Sequence, residues 1–229
     1  MPANGTAAVT VTNTADLYSA INVEKIWEDQ NNASGQRPAN IVVTLNGSDG
    51  TSYPLTLKGD SWSGKWENIP VKTLDGTEIE YAVTEQPVTN YSTTITGDVT
   101  NGFTVTNTIE RTSMTITKEG NVGADEIFIM KVQTESAGLM EVVIVGNGSI
   151  TINNLMVGEE VTVTEDMNWA WRYNAAYAPE QTITLTANAA NNKVTVTNTV
   201  KNKQWVDGNT SAENIFGSSW SKDPSNNNK

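Results

Sequence analysis

Apolar and polar residues alternate with a period of two along much of this chain, as in IVVTLNG (41–47), TEIEYAVTE (77–85), EEVTVTE (159–165) and NKVTVTNT (192–199). Alternation of that kind, rich in valine and threonine, predicts short half-buried strands. The runs are punctuated by NGSDG, LDG and GNGS, which are turn chemistries that join antiparallel strands. No amphipathic helical pattern emerges, so the expected class is all-β, with domains of sandwich or barrel type.

One strand recurs. VTVTNT stands at 9–14 and again at 194–199, and FTVTNT stands at 103–108, which spaces Asn13, Asn107 and Asn198 by 94 and 91 residues (107 − 13 and 198 − 107). A period this long means tandem domains rather than solenoid units. The expected division is a leftover last strand of a preceding repeat at 1–19, a first domain at 20–110, a second at 111–201 and a partly disordered polar tail at 202–229. Its KQWVD echoes KIWED at 25–29. The short link NTIERTSMT predicts a stiff joint between the two domains.

Strand parity shows which side chains share a face. Phe103, Val105 and Asn107 lie together, as do Ile21, Val23, Lys25 and Trp27, and Ile79, Tyr81, Val83 and Glu85. Three polar residues thus point into one apolar interior. The second domain repeats the pattern with Met114, Ile116 and Lys118, with Val161, Val163 and Glu165, and with Val194, Val196 and Asn198. Lysine to asparagine spans 82 residues in one domain and 80 in the other (107 − 25 and 198 − 118), whereas lysine to glutamate spans 60 and 47 (85 − 25 and 165 − 118). The ends of the frame are kept while its middle is rebuilt.

Composition narrows what such a core can do. The 229 residues hold 14 Lys and Arg against 26 Asp and Glu, a formal charge of −12. A field of that sign disfavours nucleic acid and anionic membrane as partners. Cysteine and histidine are both absent, which removes disulfides, thiolate and imidazole metal sites and nucleophile–histidine mechanisms. No cofactor or metal is expected. No apolar run reaches membrane-spanning length, and MPANGTAAVT has no signal-peptide character.

Burying a lysine or glutamate costs several kcal/mol unless it is paired or its pKa shifts until it is neutral. In an apolar site the lysine pKa falls and the carboxyl pKa rises, giving a neutral amine beside a protonated acid. Such an amine next to a carboxamide can attack its carbonyl, with the acid polarising the oxygen and shuttling the proton. Ammonia leaves and a Lys–Asn isopeptide bond remains. The reaction happens once per molecule, so it is self-modification and not turnover.

VEKIWED, GQRPANIVVTLN, YAVTEQPVTNY and FTVTNT, in that order, resemble the Cna protein B-type repeats of Gram-positive surface adhesins and pilins. The resemblance implies an Ig-like, transthyretin-like antiparallel β-sandwich in which a first-strand lysine bonds to a last-strand asparagine with a glutamate's help. Carried over residue by residue, it designates Lys25, Asn107 and Glu85. TITKEG, GEEVTVTEDMNWAWRY and VTVTNT resemble the looser pilin-type variants of the fold, designating Lys118, Asn198 and Glu165. Two departures stand out: no tryptophan follows Lys118, and no proline follows Glu165 as Pro87 follows Glu85. The implied protein is a structural stalk, extracellular and anchored to the cell wall through parts outside this chain, with neighbouring repeats as partners. Asn13 is expected to stay an unreacted amide, its lysine lying before Met1.

Rival readings remain. Each triad can be a buried Lys–Glu ion pair capped by an amide. Lys131 competes with Lys118 because it shares parity with Ile127 and Ile129. WAWRY would set Trp169, Trp171 and Tyr173 on one strand face, as core or as a sugar-stacking platform, and Trp62 and Trp66 invite the same suggestion. A ligand-binding adhesin module, holding a host glycan or matrix protein, is the alternative function. EDQNNASG (28–35) lacks the alternating acidic ligands of a calcium loop and reads as a solvated loop.

Overall fold

The computed structural model describes residues 18–59 and 61–201; Asn13 with its VTVTNT, and KQWVD at 203–207, lie outside them. The chain divides into two compact units between Glu110 and Arg111. Among the described residues the only helical element is a 3-10 turn at Ala189–Asn191, and no helix is long and apolar enough to cross a membrane.

The first unit comprises β1 (Tyr18–Glu28), β2 (Asn40–Gly47), β3 (Ser52–Lys58), β4 (Ser63–Pro70), β5 (Tyr81–Glu85), β6 (Tyr91–Asp98) and β7 (Gly102–Ile109). One sheet runs β4-β1-β7-β6 and the other β3-β2-β5. Ile21, Val23, Val43, Leu45, Trp66, Phe103 and Val105 form the core. These are the apolar members of the alternating runs, so the pattern that makes each strand also makes the interior.

The second unit comprises β8 (Arg111–Gly120), β9 (Ile127–Thr134), β10 (Gly138–Val145), β11 (Ser149–Met156), β12 (Glu160–Glu165), β13 (Tyr173–Ala178), β14 (Thr182–Thr184) and β15 (Lys193–Val200). Its sheets run β11-β8-β15-β13 and β10-β9-β12-β14. The strand order is that of the first unit with β14 added at one edge. That addition, with the 3-10 turn, sits between Glu165 and Asn198. A tight return from β11 to β12 replaces the longer 71–80 connection of the first unit, which accounts for the rebuilt middle of the frame.

In both units the first and last strands are adjacent and parallel, in otherwise antiparallel sheets. Lys25 pairs with Val105, and Lys118 with Val196. Each lysine therefore stands opposite the residue two before the asparagine, in the same register twice.

Three expectations change. WAWRY is not a strand: Trp169 and Trp171 lie in a turn and are exposed, and only Tyr173 enters β13 and is buried. TEIE does not extend β5, because Lys72 and Glu78 bridge a separate short hairpin and the strand begins at Tyr81. The 28–35 segment is not simply solvated, since Asp29 is buried. Its carboxylate takes two hydrogen bonds from the Arg37 guanidinium and one from the Tyr91 hydroxyl. Burial alone would raise the Asp29 pKa, but the Arg37 hydrogen bonds hold it below the ordinary range.

Candidate functional site

Strand parity delivers the six polar residues as buried side chains. Lys25 and Asn107 are 4% and 0% exposed and Lys118, Glu165 and Asn198 at most 1%, while the Glu85 side chain is 1% exposed. In the first unit Lys25 comes from β1, Glu85 from the end of β5 and Asn107 from β7, so the set bridges the two sheets. In the second, Lys118 on β8, Glu165 at the end of β12 and Asn198 on β15 repeat the arrangement.

The lysines are loosely paired. Lys25 Nζ lies 3.5 Å from Glu85 Oε1, and Lys118 Nζ lies 3.8 Å from Glu165 Oε2. Each is an ion-pair contact rather than a hydrogen bond, and both carboxylate oxygens lack a hydrogen-bond partner. The ammonium groups donate instead to main-chain carbonyls, Lys25 to Val105 at 3.2 Å and Lys118 to Val196 at 3.2 Å. Burial lowers the Lys25 pKa to about 8, against the opposing pull of the Glu85 charge. Lys118 is lowered for the same reason, with Glu165 opposing. Burial raises the Glu165 carboxyl, although Asn198 and Lys118 act to lower it. A lowered amine beside a raised acid favours the neutral pair.

An aromatic ring covers each amine, and the two rings come from different places. Trp27, two residues along β1, holds its ring 4.4 Å from Lys25 Nζ and is packed edge-on by Trp62 and Tyr91, each at 5.1 Å. Over Lys118 the ring is Phe128 of β9, at 4.6 Å. The missing tryptophan after Lys118 is thus replaced in space by a residue from the other sheet. The position opposite Asn198 is Gly120, where Asn107 faces Trp27. Gly120 has φ +133°, and a Cβ there would meet the Asn198 carbonyl oxygen at 2.2 Å, so this close approach admits glycine alone.

The carboxamides are held differently. Asn198 Nδ2 donates directly to Glu165 Oε1 at 2.8 Å. In the first unit the link runs through Thr93 of β6, whose Oγ lies 2.7 Å from Glu85 Oε2 and 2.8 Å from Asn107 Oδ1. Asn107 Nδ2 and Asn198 Oδ1 have no hydrogen-bond partner, and an unpaired buried polar atom costs about 1–3 kcal/mol. Both cores therefore carry polar groups that their folds do not satisfy.

The rivals are placed elsewhere. Lys131 faces outward, 35% exposed, and pairs with Asp166 at 3.0 Å; Phe128, Met130 and Val132 take the inward positions. Trp66 is core, its indole donating to the Tyr53 carbonyl. Trp169 and Trp171 flank an open cleft of about 500 Å³ that Asp125, Glu126, Arg172 and Tyr173 also line.

Comparison with known proteins bears on these two units. Residues 21–108 match the model of the Cna protein B-type domain, and residues 114–201 match a family described as a domain of unknown function, DUF5979. A collagen adhesin of Staphylococcus aureus is 38% identical over 104 residues, which are 44% of this chain and 8% of that protein. Among solved structures, a single B repeat unit (B1) of the collagen-binding surface protein of S. aureus is similar at 23% identity. It covers 80% of this chain and 99% of its own, with a TM-score of 0.37. The major pilin protein T-13 of Streptococcus pyogenes is 13% identical and covers 80% of this chain and 97% of its own, with a TM-score of 0.43.

Proposed function

We propose, on the match of residues 21–108 to the Cna protein B-type domain, that the chain is a stalk segment of a Gram-positive surface adhesin or pilin, each domain stiffened by an intramolecular Lys–Asn isopeptide bond. The observation that carries the reading is the duplication of one buried constellation. Lysine, glutamate and asparagine recur in the same strands and the same register, each set beneath an aromatic ring and each with polar atoms left unpaired.

The chemistry balances without any outside group. Lys25 passes a proton to Glu85, and its neutral Nζ attacks Cγ of Asn107. The C–Nδ2 bond breaks, a proton moves by way of Glu85 from the attacking to the leaving nitrogen, and ammonia departs. Lys118, Glu165 and Asn198 do the same in the second domain. In each domain the product removes a buried charge, and in the first it also removes the orphaned Asn107 Nδ2, which gives the fold a reason to drive the reaction forward. Partners of such a stalk are neighbouring repeats of its parent, and it works outside the cell, anchored by parts beyond this chain.

Intact mass tests it. The purified chain should be lighter than its sequence by two molecules of ammonia, and Lys25→Ala or Glu85→Ala should restore one of them. A mass equal to the sequence value would sink the proposal.

The cleft beside Trp169 and Trp171 supports a second reading, a module that holds a glycan against exposed indoles. It predicts binding on a glycan array that Trp169→Ala abolishes. An array with no signal from the unmodified chain rules this reading out.

A further inference from the structure

Thr93 is an ordinary-looking residue in an unusual place. It sits on β6, an edge strand, directly opposite Asn107. The residue as a whole is exposed, yet its hydroxyl is within hydrogen-bond distance of both a Glu85 oxygen and the Asn107 carbonyl oxygen. No hydrogen bond joins Glu85 directly to the Asn107 carboxamide; the Thr93 hydroxyl is what links the two.

A hydroxyl has one proton to donate. While Glu85 is ionised, its Oε2 at 2.7 Å and Asn107 Oδ1 at 2.8 Å compete for that proton. Once Glu85 has taken the proton of Lys25, its carboxyl donates to Thr93 Oγ and the hydroxyl is free to donate to Asn107 Oδ1. The chain of donation then runs from the Glu85 acid to the Thr93 oxygen, and from the Thr93 hydroxyl to the carbonyl that the amine attacks. That is the polarity general-acid assistance requires, because negative charge develops on this oxygen as the amine adds.

The second domain provides the contrast. In its register Ala175 stands opposite Asn198, on the equivalent edge strand β13. With no hydroxyl there, Glu165 touches the carboxamide directly. One domain places a relay between acid and amide, and the other brings them into contact.

Resting on the crosslink reading above, we propose that Thr93 is the proton relay of the first-domain reaction, passing the Glu85 proton to the Asn107 carbonyl oxygen, and that the second domain reacts without one. As Lys25 Nζ adds to Cγ, the Thr93 proton moves toward Oδ1 and the Glu85 proton replaces it. When the tetrahedral carbon collapses, both return along the same path while the nitrogen-borne proton leaves with ammonia. No oxidant or co-reactant enters.

The test uses the full chain made by cell-free synthesis. Translation is stopped and the Lys25–Asn107 and Lys118–Asn198 linked peptides are quantified over time by mass spectrometry. Thr93→Val keeps the shape and β-branching but removes the hydroxyl, and it should slow the first linkage by at least about 100-fold, the lower range for loss of general acid–base assistance. Thr93→Ser should restore the rate, and the second linkage should be unchanged in every variant. Thr93→Ala, a second hydroxyl-free side chain, should match Thr93→Val, and near-ultraviolet circular dichroism shows that each variant is folded. Wild-type speed in either hydroxyl-free variant, or failure of serine to rescue, overturns the relay while leaving the crosslink intact. Absence of the first linkage from the unmodified chain overturns the crosslink reading itself.

Discussion

Pulled by its two ends, the unmodified chain is expected to lengthen far less than a pair of β-sandwiches of its size. In the first domain β1 and β7 are parallel neighbours, in register from Val23 with Phe103 to Glu28 with Thr108. Tension entering at Tyr18 and leaving at Ile109 therefore loads this pair in shear. With an amide between Lys25 and Asn107, force passes across it, and the 82 residues spanning 25 to 107 (107 − 25) never bear load. The second domain hides 80 residues (198 − 118) by the same route. At ~3.3–3.6 Å per extended residue, an Asn107→Ala, Asn198→Ala double variant should release about 265–295 Å more in each domain. Single-molecule stretching reads this directly, because hydrogen bonds yield under load and an amide does not. Releases of full domain length from the unmodified chain would defeat the mechanical reading, whatever its mass.

What the sequence made legible was the face of each residue, and what it hid was distance. Alternation alone placed Lys25, Glu85 and Asn107 toward one interior, because parity is a local property of a strand. It also placed Lys118, Glu165 and Asn198. Thr93 was invisible by comparison: YSTTITGD (91–98) carries hydroxyls at 91, 92, 93, 94 and 96, and only the long-range register with β7 singles one out. The same limit explains Phe128. The absence of tryptophan after Lys118 reads as a loss, yet the ring over the amine comes from β9. WAWRY misled for the opposite reason. Its aromatic alternation imitates a strand, while the backbone turns there, Trp169 and Ala170 donating their N–H groups to the Asp166 carbonyl. Asp29 looked solvated because it stands among Asn and Gln. Its partner, Arg37, is eight residues on, in the RP pair that precedes β2.

Heat should separate the linked and unlinked first domain by more than any other substitution in it. A crosslink closing an 82-residue loop restricts the unfolded chain by about 4–5 kcal/mol on the loop-entropy account. For a domain of this size each kcal/mol moves the midpoint by ~4–8 °C, so Asn107→Ala should melt ~20–35 °C lower. The lost carboxamide hydrogen bond adds only about 1 kcal/mol to this. A pH signature separates the crosslink from simple damage to the core. The variant keeps a free Lys25 amine, whose pKa of about 8 in the fold lies below its unfolded value of 10.5. Between those values the unfolded chain binds more protons than the folded one, so stability rises with pH across that window; below about pH 8 the cost of burying the charged amine is present in full. In the linked domain Lys25 is an amide and has no such titration. The gap between variant and unmodified chain should therefore narrow as pH is raised from 7.5 to 10, measured by calorimetry of the first transition. Equal midpoints, or parallel pH profiles, would mean that the unmodified chain carries a free amine at Lys25.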